Sequence, residues 1–497
     1  MKIILINIII LSFIMGTRVI DSSNIPTLGD NRSCGQRPIL DNNIISPSGS
    51  FMIHYDNYYD EIDDYAYSVA IAADSSRKVI VEIMNFRSEV QDDDGLYDIY
   101  IKQLPNGSYG WNCPDGDLGK SWVEIDDDYI GTGYSTSGLD AMKISVAHEY
   151  FHAIQRSYKP MPGQNSFFYE LSSIWIEDIV YPEINDYIFF SQYGDDYFSD
   201  PEKNMNEYNG YGLGLYGHYM NFEFDNQIMQ RIWENFSLMD SDDETEYVFN
   251  AIDNVLNNQD FGYNSSFVQT WLDFNSKNIF NGYFSDMQNH IYYYSDQVAF
   301  NPIETNSSLI DTIESISFGL NNRSVSIRSY IPKDISIINI YNNPNYEDIS
   351  GSLALISNSS AIYNIYHNYQ SDLLNSNDNF HILYIADSNN REFESSIVST
   401  ILDNSDEIFI YPNPIYLDNN ISFRFNSGIR ANQIILKLFN IHGQLLKIMN
   451  LGSIDYTLND FHNFNIPFFD DHFSSGIYII SFDLDGKIIN KKITYLK

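Results

Sequence analysis

Val146-Ala147-His148-Glu149-Tyr150-Phe151-His152-Ala153-Ile154-Gln155 is the stretch from which the rest of the chain is read. His148 and His152 stand four residues apart, so on an α-helix they lie nearly above one another and can hold one metal ion. Glu149 follows the first histidine and points beside the pair, where it can take a proton from a water held by that ion. The motif has this meaning only on a helix, with a third ligand and in a suitable compartment.

The flanking sequence supplies the helix. Gly131-Thr132-Gly133 reads as a turn and Ser137 as an N-cap. A helix is predicted from Leu139 to about Tyr158, stopped by Pro160 and Pro162-Gly163. Ile144, Ala147, Phe151 and Ile154 are available to bury it.

A tetrahedral catalytic zinc takes three protein ligands and leaves one position open. A second helix is predicted from Asn165 or Ser166 to Val180. Glu170 on it is the favoured third ligand, because 17 intervening residues allow a turn and a helix packed back on the first. Ser172 and Ser173 permit close approach of the two helices. Glu177 is the alternative ligand; otherwise Glu177 or Asp178 orients a ligand histidine from behind. A histidine six residues after His152 would be a different third ligand, but that position is Tyr158.

A third helix is predicted to start near Tyr211, in Tyr208-Asn209-Gly210-Tyr211-Gly212-Leu213-Gly214-Leu215-Tyr216-Gly217-His218, where glycines allow close packing. An oxyanion formed at the metal needs a hydrogen-bond donor, and Tyr211 is the first choice for it, His218 the second. With 39 tyrosines in the chain, the bland alternative is that Tyr211 only packs.

Ahead of the motif, Phe51–Tyr55, Val79–Ile83, Tyr97–Ile101 and Ser121–Tyr129 read as strands and Glu61 to about Ser76 as a helix. The last of these strands is expected to run beside the active-site helix and to pair with an extended substrate. Asp92-Asp93-Asp94-Gly95 lacks the regular ligand spacing of an EF-hand and reads as a solvated acidic turn, with calcium left open as a second ion. Helical patterns at Ile228–Phe236, Glu244–Leu256 and Ser266–Ile279 close this domain near residue 295.

Composition and the chain ends set the compartment. The chain has 497 residues, 43% of them hydrophobic, enough for two to four packed domains. A net charge of −40 argues against nucleic acid or an anionic membrane as partner. Residues 1–23 have the shape of a signal peptide: Lys2, an apolar run from Ile3 to Met15, then mostly small or polar residues. An uncleaved anchor is the alternative; no later stretch is long and apolar enough to span a membrane. In an exported chain, the two cysteines, Cys34 and Cys113, read as one disulfide rather than a metal site. Residues 24–50 read as a linker or N-terminal arm, 300–404 as an all-β sandwich-like accessory domain, and 405–497 as a small antiparallel β-sandwich.

Two resemblances follow. The segment from about Phe51 to Phe236 resembles a family of secreted bacterial metallopeptidases of gluzincin type. It does so through Tyr97-Asp98-Ile99-Tyr100, Ala147 to Gln155, Glu170, Trp175-x-Glu177-Asp178 and Tyr181-Pro182. This implies an α+β zincin-like catalytic domain over 51–295, a mixed sheet plus active-site helices. It also implies zinc on His148, His152 and Glu170, Glu149 as catalytic base, and a protein or peptide substrate. Gluzincins often carry aspartate four residues after the third ligand; here that position is Ile174. Tyr211-Gly212-Leu213-Gly214 is similar to the Tyr-x-x-Gly near the catalytic tyrosine of aminopeptidase-like members. Residues 405–497 look like the C-terminal sorting domain of the type IX secretion system, through Tyr411-Pro412-Asn413-Pro414, Leu438 to Gly443, Ser475-Gly476-Ile477-Tyr478 and Lys491-Lys492. That implies the type IX machinery as a partner and a secreted or surface-attached protein. The competing expectation is a non-catalytic surface adhesin whose His-Glu-x-x-His helix is structural.

Overall fold

In the computed structural model, residues 34–496 are described apart from short internal stretches, the longest of which are 283–292 and 455–461. The signal-peptide reading of 1–23 lies outside the described residues. The chain divides into two compact units, one up to Glu304 and one from Thr305; the accessory and tail stretches both fall in the second.

The first unit is built on a five-stranded mixed sheet. Its strands are β1 (Asn42–Ile45), β2 (Phe51–Tyr55), β3 (Tyr97–Lys102), β4 (Gly110–Pro114) and β5 (Ser121–Asp126), in the order β1-β2-β3-β5-β4. β2, β3 and β5 run parallel, while β1 and β4 pair antiparallel with their neighbours. Parallel strands covered on both faces are apolar throughout. β3 and β5 are accordingly buried from end to end except Lys102.

Four details differ from the sequence reading. β1 falls within 24–50, so part of the expected arm is a sheet strand. Val79–Ile83 is not a strand: α1 (Ile62–Arg77) runs on into a π-helical turn over Lys78–Ile83. The apolar run VIVEI is compatible with either element, and the continuous helix decides it. The strand expected over Ser121–Tyr129 ends at Asp126 and has a strand on each side. It is therefore an interior strand, with no edge for the expected pairing with an extended substrate; the end position is taken by β4. Cys113, expected in a loop, lies in β4, and its disulfide with Cys34 ties the N-terminal segment to that strand.

Helix α2 (Gly138–Tyr158) follows, then α3 (Ser166–Val180), an unforeseen short α4 (Asp186–Tyr193), α5 (Gly214–Glu223), α6 (Ile228–Ser237), α7 (Tyr247–Leu256) and α8 (Phe267–Asn278). Ser137 stands at the N-cap of α2 with extended backbone, but its side chain makes no capping bond. From Ala141 to Arg156 every residue of α2 except Lys143 is buried. A helix buried on all sides is a central helix, and six of its buried residues, Ser145, His148, Glu149, His152, Gln155 and Arg156, are polar. Polar groups in such a place must be paired or put to use.

In the second unit, strands between Ser307 and Ile401 form one five-stranded and one four-stranded sheet. The strand pair Ser307–Ile310 and Val325–Pro332 is parallel, the other pairings there antiparallel. In the tail, a three-stranded and a five-stranded sheet share one core, in which Ile421 and Phe423 of one face Leu436, Leu438, Ile480 and Phe482 of the other. This sandwich is not wholly antiparallel, since Ile415–Tyr416 pairs parallel with the last strand. Asp485 and Gly486, with φ of 52° and 96°, make the tight turn between Gly476–Leu484 and Lys487–Leu496.

Candidate metal centre

α3 folds back along α2, and its Glu170 meets both histidines. Nε2 of His148 lies 3.3 Å, and Nε2 of His152 3.7 Å, from Oε2 of Glu170. The two imidazoles are nearly perpendicular, with centroids 4.7 Å apart. All three side chains are buried.

Each histidine is held by its other nitrogen. Nδ1 of His148 lies 2.5 Å from Oε1 of Glu177. Nδ1 of His152 lies 2.7 Å from Oε1 of Gln155 and 3.2 Å from the Ser173 hydroxyl. The Gln155 amide is oriented by Nε2, which donates to the Tyr169 carbonyl at 2.9 Å and to the hydroxyls of Ser172 and Ser173. Its carbonyl oxygen is thereby the atom turned to His152, and Nδ1 must be the donor. Both rings thereby turn Nε2 to the point that Glu170 faces.

Glu149 sits one residue along from His148, against the first residue of β4. A Cβ at Gly110 would stand 2.8 Å from Cγ of Glu149 and 3.1 Å from the Glu124 carbonyl. Only glycine leaves Glu149 that room. Asn112 of β4 donates to the Glu149 carbonyl at 3.0 Å and accepts from Nε of Arg156 at 2.7 Å, which pins the strand to α2. Burial, with Glu170 and Glu177 near, pushes the Glu149 carboxyl up to about 7. Burial would also raise Glu170, but His152 and His148 hold it well below the usual carboxylate range.

Tyr211 lies beside the triad, its ring parallel to that of His148 with centroids 6.2 Å apart. Its hydroxyl is hydrogen-bonded to Glu170, and burial holds its pKa well above the ordinary value. Gly210 makes this placement possible. It has φ of 101°, and a Cβ there would come 2.1 Å from the Phe167 carbonyl. The helix expected to begin at Tyr211 begins instead at Gly214, after a single 3₁₀ turn over Tyr211–Leu213. As the glycines suggest, α5 packs tightly on α3: a Cβ at Gly217 would stand 2.4 Å from the Trp175 ring.

The remaining sequence-derived residues divide. Glu177 lies against one of the two motif histidines, His148. Asp178 does not; it accepts a hydrogen bond from the Tyr294 hydroxyl, and burial raises its carboxyl to about 7. His218 stacks on Tyr294 at 3.9 Å, with Nε2 3.5 Å from Asp178. It belongs to that cluster rather than to the triad, and burial lowers it to about 3. In the acidic turn, Asp92 pairs with Arg37, Asp93 with Lys120, and Asp94 accepts from Leu96 N–H. Gln155, Gly110 and Asn112 were missed from sequence, and Ser173 was read there only as a small residue between helices. Gln155 alone had a signal there, standing three residues after His152 on the same helix face.

The family described as "Secretion system C-terminal sorting domain" matches residues 409–495. The tail is thus a type IX secretion sorting domain, and it directs the chain to the cell surface or the extracellular space. Among the described residues no helix is long and apolar enough to cross a membrane. No curated protein matches the chain. Similar solved structures include the extracellular region of zebrafish Gpr126/Adgrg6 (8% identity, TM-score 0.15) and β-glucuronidase 3 of Bacteroides uniformis (9%, 0.15). The β-glucuronidase of Parabacteroides merdae is a third (8%, 0.16). Each match covers 37% of this chain and 31%, 27% and 28% of those chains respectively, so the chain spans under a third of their length. At such TM-scores these likenesses carry no argument.

Proposed function

We propose that the first unit is a zinc-dependent peptidase with a zincin-like active site, exported by way of its sorting tail. The observation that carries this is the convergence of His148 Nε2, His152 Nε2 and Glu170 Oε2, with Glu149 alongside. Zn–N and Zn–O bonds of ~2.0–2.1 Å at tetrahedral angles put ligand atoms roughly 3.3–3.5 Å apart. The separations of 3.3 and 3.7 Å suit that geometry. The charge balance supports it too. Glu149, Glu170 and Glu177 are all buried within one site, and such a group of carboxylates is costly without a cation to offset it. Among the described residues the group holds three donors, whereas a purely structural zinc normally has four.

When bound there, zinc supplies Lewis acidity toward a water and a substrate carbonyl. Glu149 accepts the proton of the attacking water and returns it to the leaving amine. Tyr211 directs its hydroxyl at the oxygen on which charge develops. β4, with Gly110 against Glu149, offers backbone to an extended peptide.

The test is the zinc-loaded Glu149→Gln protein assayed on a mixed peptide library. The reading expects zinc retained and turnover down by about 10²–10⁴-fold. Full turnover in that variant, or no cleavage by the zinc-loaded parent protein, overturns it and favours a non-catalytic surface protein.

A further inference from the structure

The aromatic system that begins at the triad continues outward. Tyr211 lies parallel to His148, Phe190 of α4 packs on Tyr211 with centroids 5.9 Å apart, and Tyr109 packs edge-on to Phe190 at 5.8 Å. Three rings therefore run unbroken from a ligand histidine to the residue that precedes Gly110. Tyr211 is buried, while Phe190 and Tyr109 are partly exposed. The line passes from the interior of the site to solvent.

The outer rings are fixed by polar bonds as well as by packing. The Tyr109 hydroxyl accepts from the backbone N–H of Ser135 at 2.9 Å and of Thr136 at 3.2 Å. The hydroxyls of Ser135 and Thr136 in turn donate to Oδ1 of Asp186, at 2.5 and 2.6 Å. Asp186 opens α4, the helix that carries Phe190. One loop thus ties both rings into a single preset surface, and a preset surface lowers the ordering cost of binding.

A peptide paired along β4 passes Glu149 in extended form and turns alternate side chains to one side. We infer that Tyr109, Phe190 and Tyr211 form the subsite that selects the substrate, receiving an aromatic or large aliphatic side chain next to the bond cleaved. This rests on the peptidase reading above. Apolar faces in a partly exposed row have little to offer a charged or small side chain, and much to gain from a ring or branched chain that covers them.

The experiment uses the zinc-loaded full chain and a peptide library varied on both sides of the cleaved bond. kcat/KM is expected to favour Phe, Tyr or Leu over Ala or Gly by about 10–100-fold. In Phe190→Ala the preference should shrink several-fold, and in Phe190→Leu by less. A thermal melt of both variants shows that α4 still folds. A second readout needs no turnover: the ratio of Kd values for a Phe-bearing and an Ala-bearing peptide, measured on Glu149→Gln with and without Phe190→Ala, should fall in the double variant. Cleavage without side-chain preference, or a preference unchanged in folded Phe190→Ala, overturns the subsite and leaves the peptidase reading standing. No peptide cleaved by the zinc-loaded protein overturns that reading, and the subsite with it.

Discussion

Glu177 faces Nδ1 of His148 at 2.5 Å and stands seven positions along α3 from Glu170, which faces the same ring at Nε2. One helix thus supplies a carboxylate to each nitrogen of one imidazole. The two positions are two helical turns apart and share a face. Ile174, which lies between them on α3, is buried against Gly214 of α5.

Glu177→Gln should therefore weaken zinc binding by about 10–100-fold while leaving the fold intact. Competition with a chelator of known affinity measures this. An unchanged affinity would mean that Glu177 does not support His148.

Gly217→Ala places a methyl group into the Trp175 ring, where the present gap to a Cβ is 2.4 Å. Overpacking of that kind costs about 1–3 kcal/mol. The melting temperature should drop, and because α3 carries Glu170, zinc affinity should drop with it. Thermal melts with and without zinc separate the two effects.

The disulfide between Cys34 and Cys113 closes a loop with a sequence separation of 79. Replacing both cysteines by serine should destabilise the first unit by about 2–4 kcal/mol. It should also loosen β4, since Cys113 is one residue from Asn112, the residue bonded to the Glu149 carbonyl. Denaturant unfolding of the full chain, with and without reductant, reads the first effect.

His381 in the second unit is buried, and that burial lowers its pKa to about 4. Ser329 hydrogen-bonds its Nδ1 at 2.7 Å. A base whose folded pKa lies below its unfolded value near ~6.5 favours the fold when neutral. Its contribution is complete above the unfolded pKa and is lost as pH falls from there through about 4. Unfolding of the full chain between these limits should show wild type losing stability relative to His381→Gln. Parallel curves would contradict the assignment.

Much of this was legible in the sequence, and the failures have physical reasons. The His-Glu-x-x-His helix, its partner helix with Glu170 and the tail strands are long or strongly patterned segments, for which periodicity is decisive. The run Val79–Ile83 is too short for its pattern to separate strand from helix, and the preceding helix absorbs it. Sheet order was not legible either. Nothing in β5 says that the short GWNCP strand, bounded by Gly110 and Pro114, pairs outside it and takes the end position. Tyr211 is ranked ahead of His218 in the sequence, but as isolated residues either could serve as the donor. Only the packing of α5 on α3 separates them, turning His218 to Tyr294 and leaving Tyr211 on the triad.

The central claim is that His148, His152 and Glu170 hold one catalytic zinc. Its most direct test is the metal content of the purified full chain, determined by elemental mass spectrometry after zinc loading and dialysis, beside His148→Ala. One zinc per chain is expected in the parent protein and none in a folded His148→Ala. No zinc in either, or equal zinc in both, would contradict it.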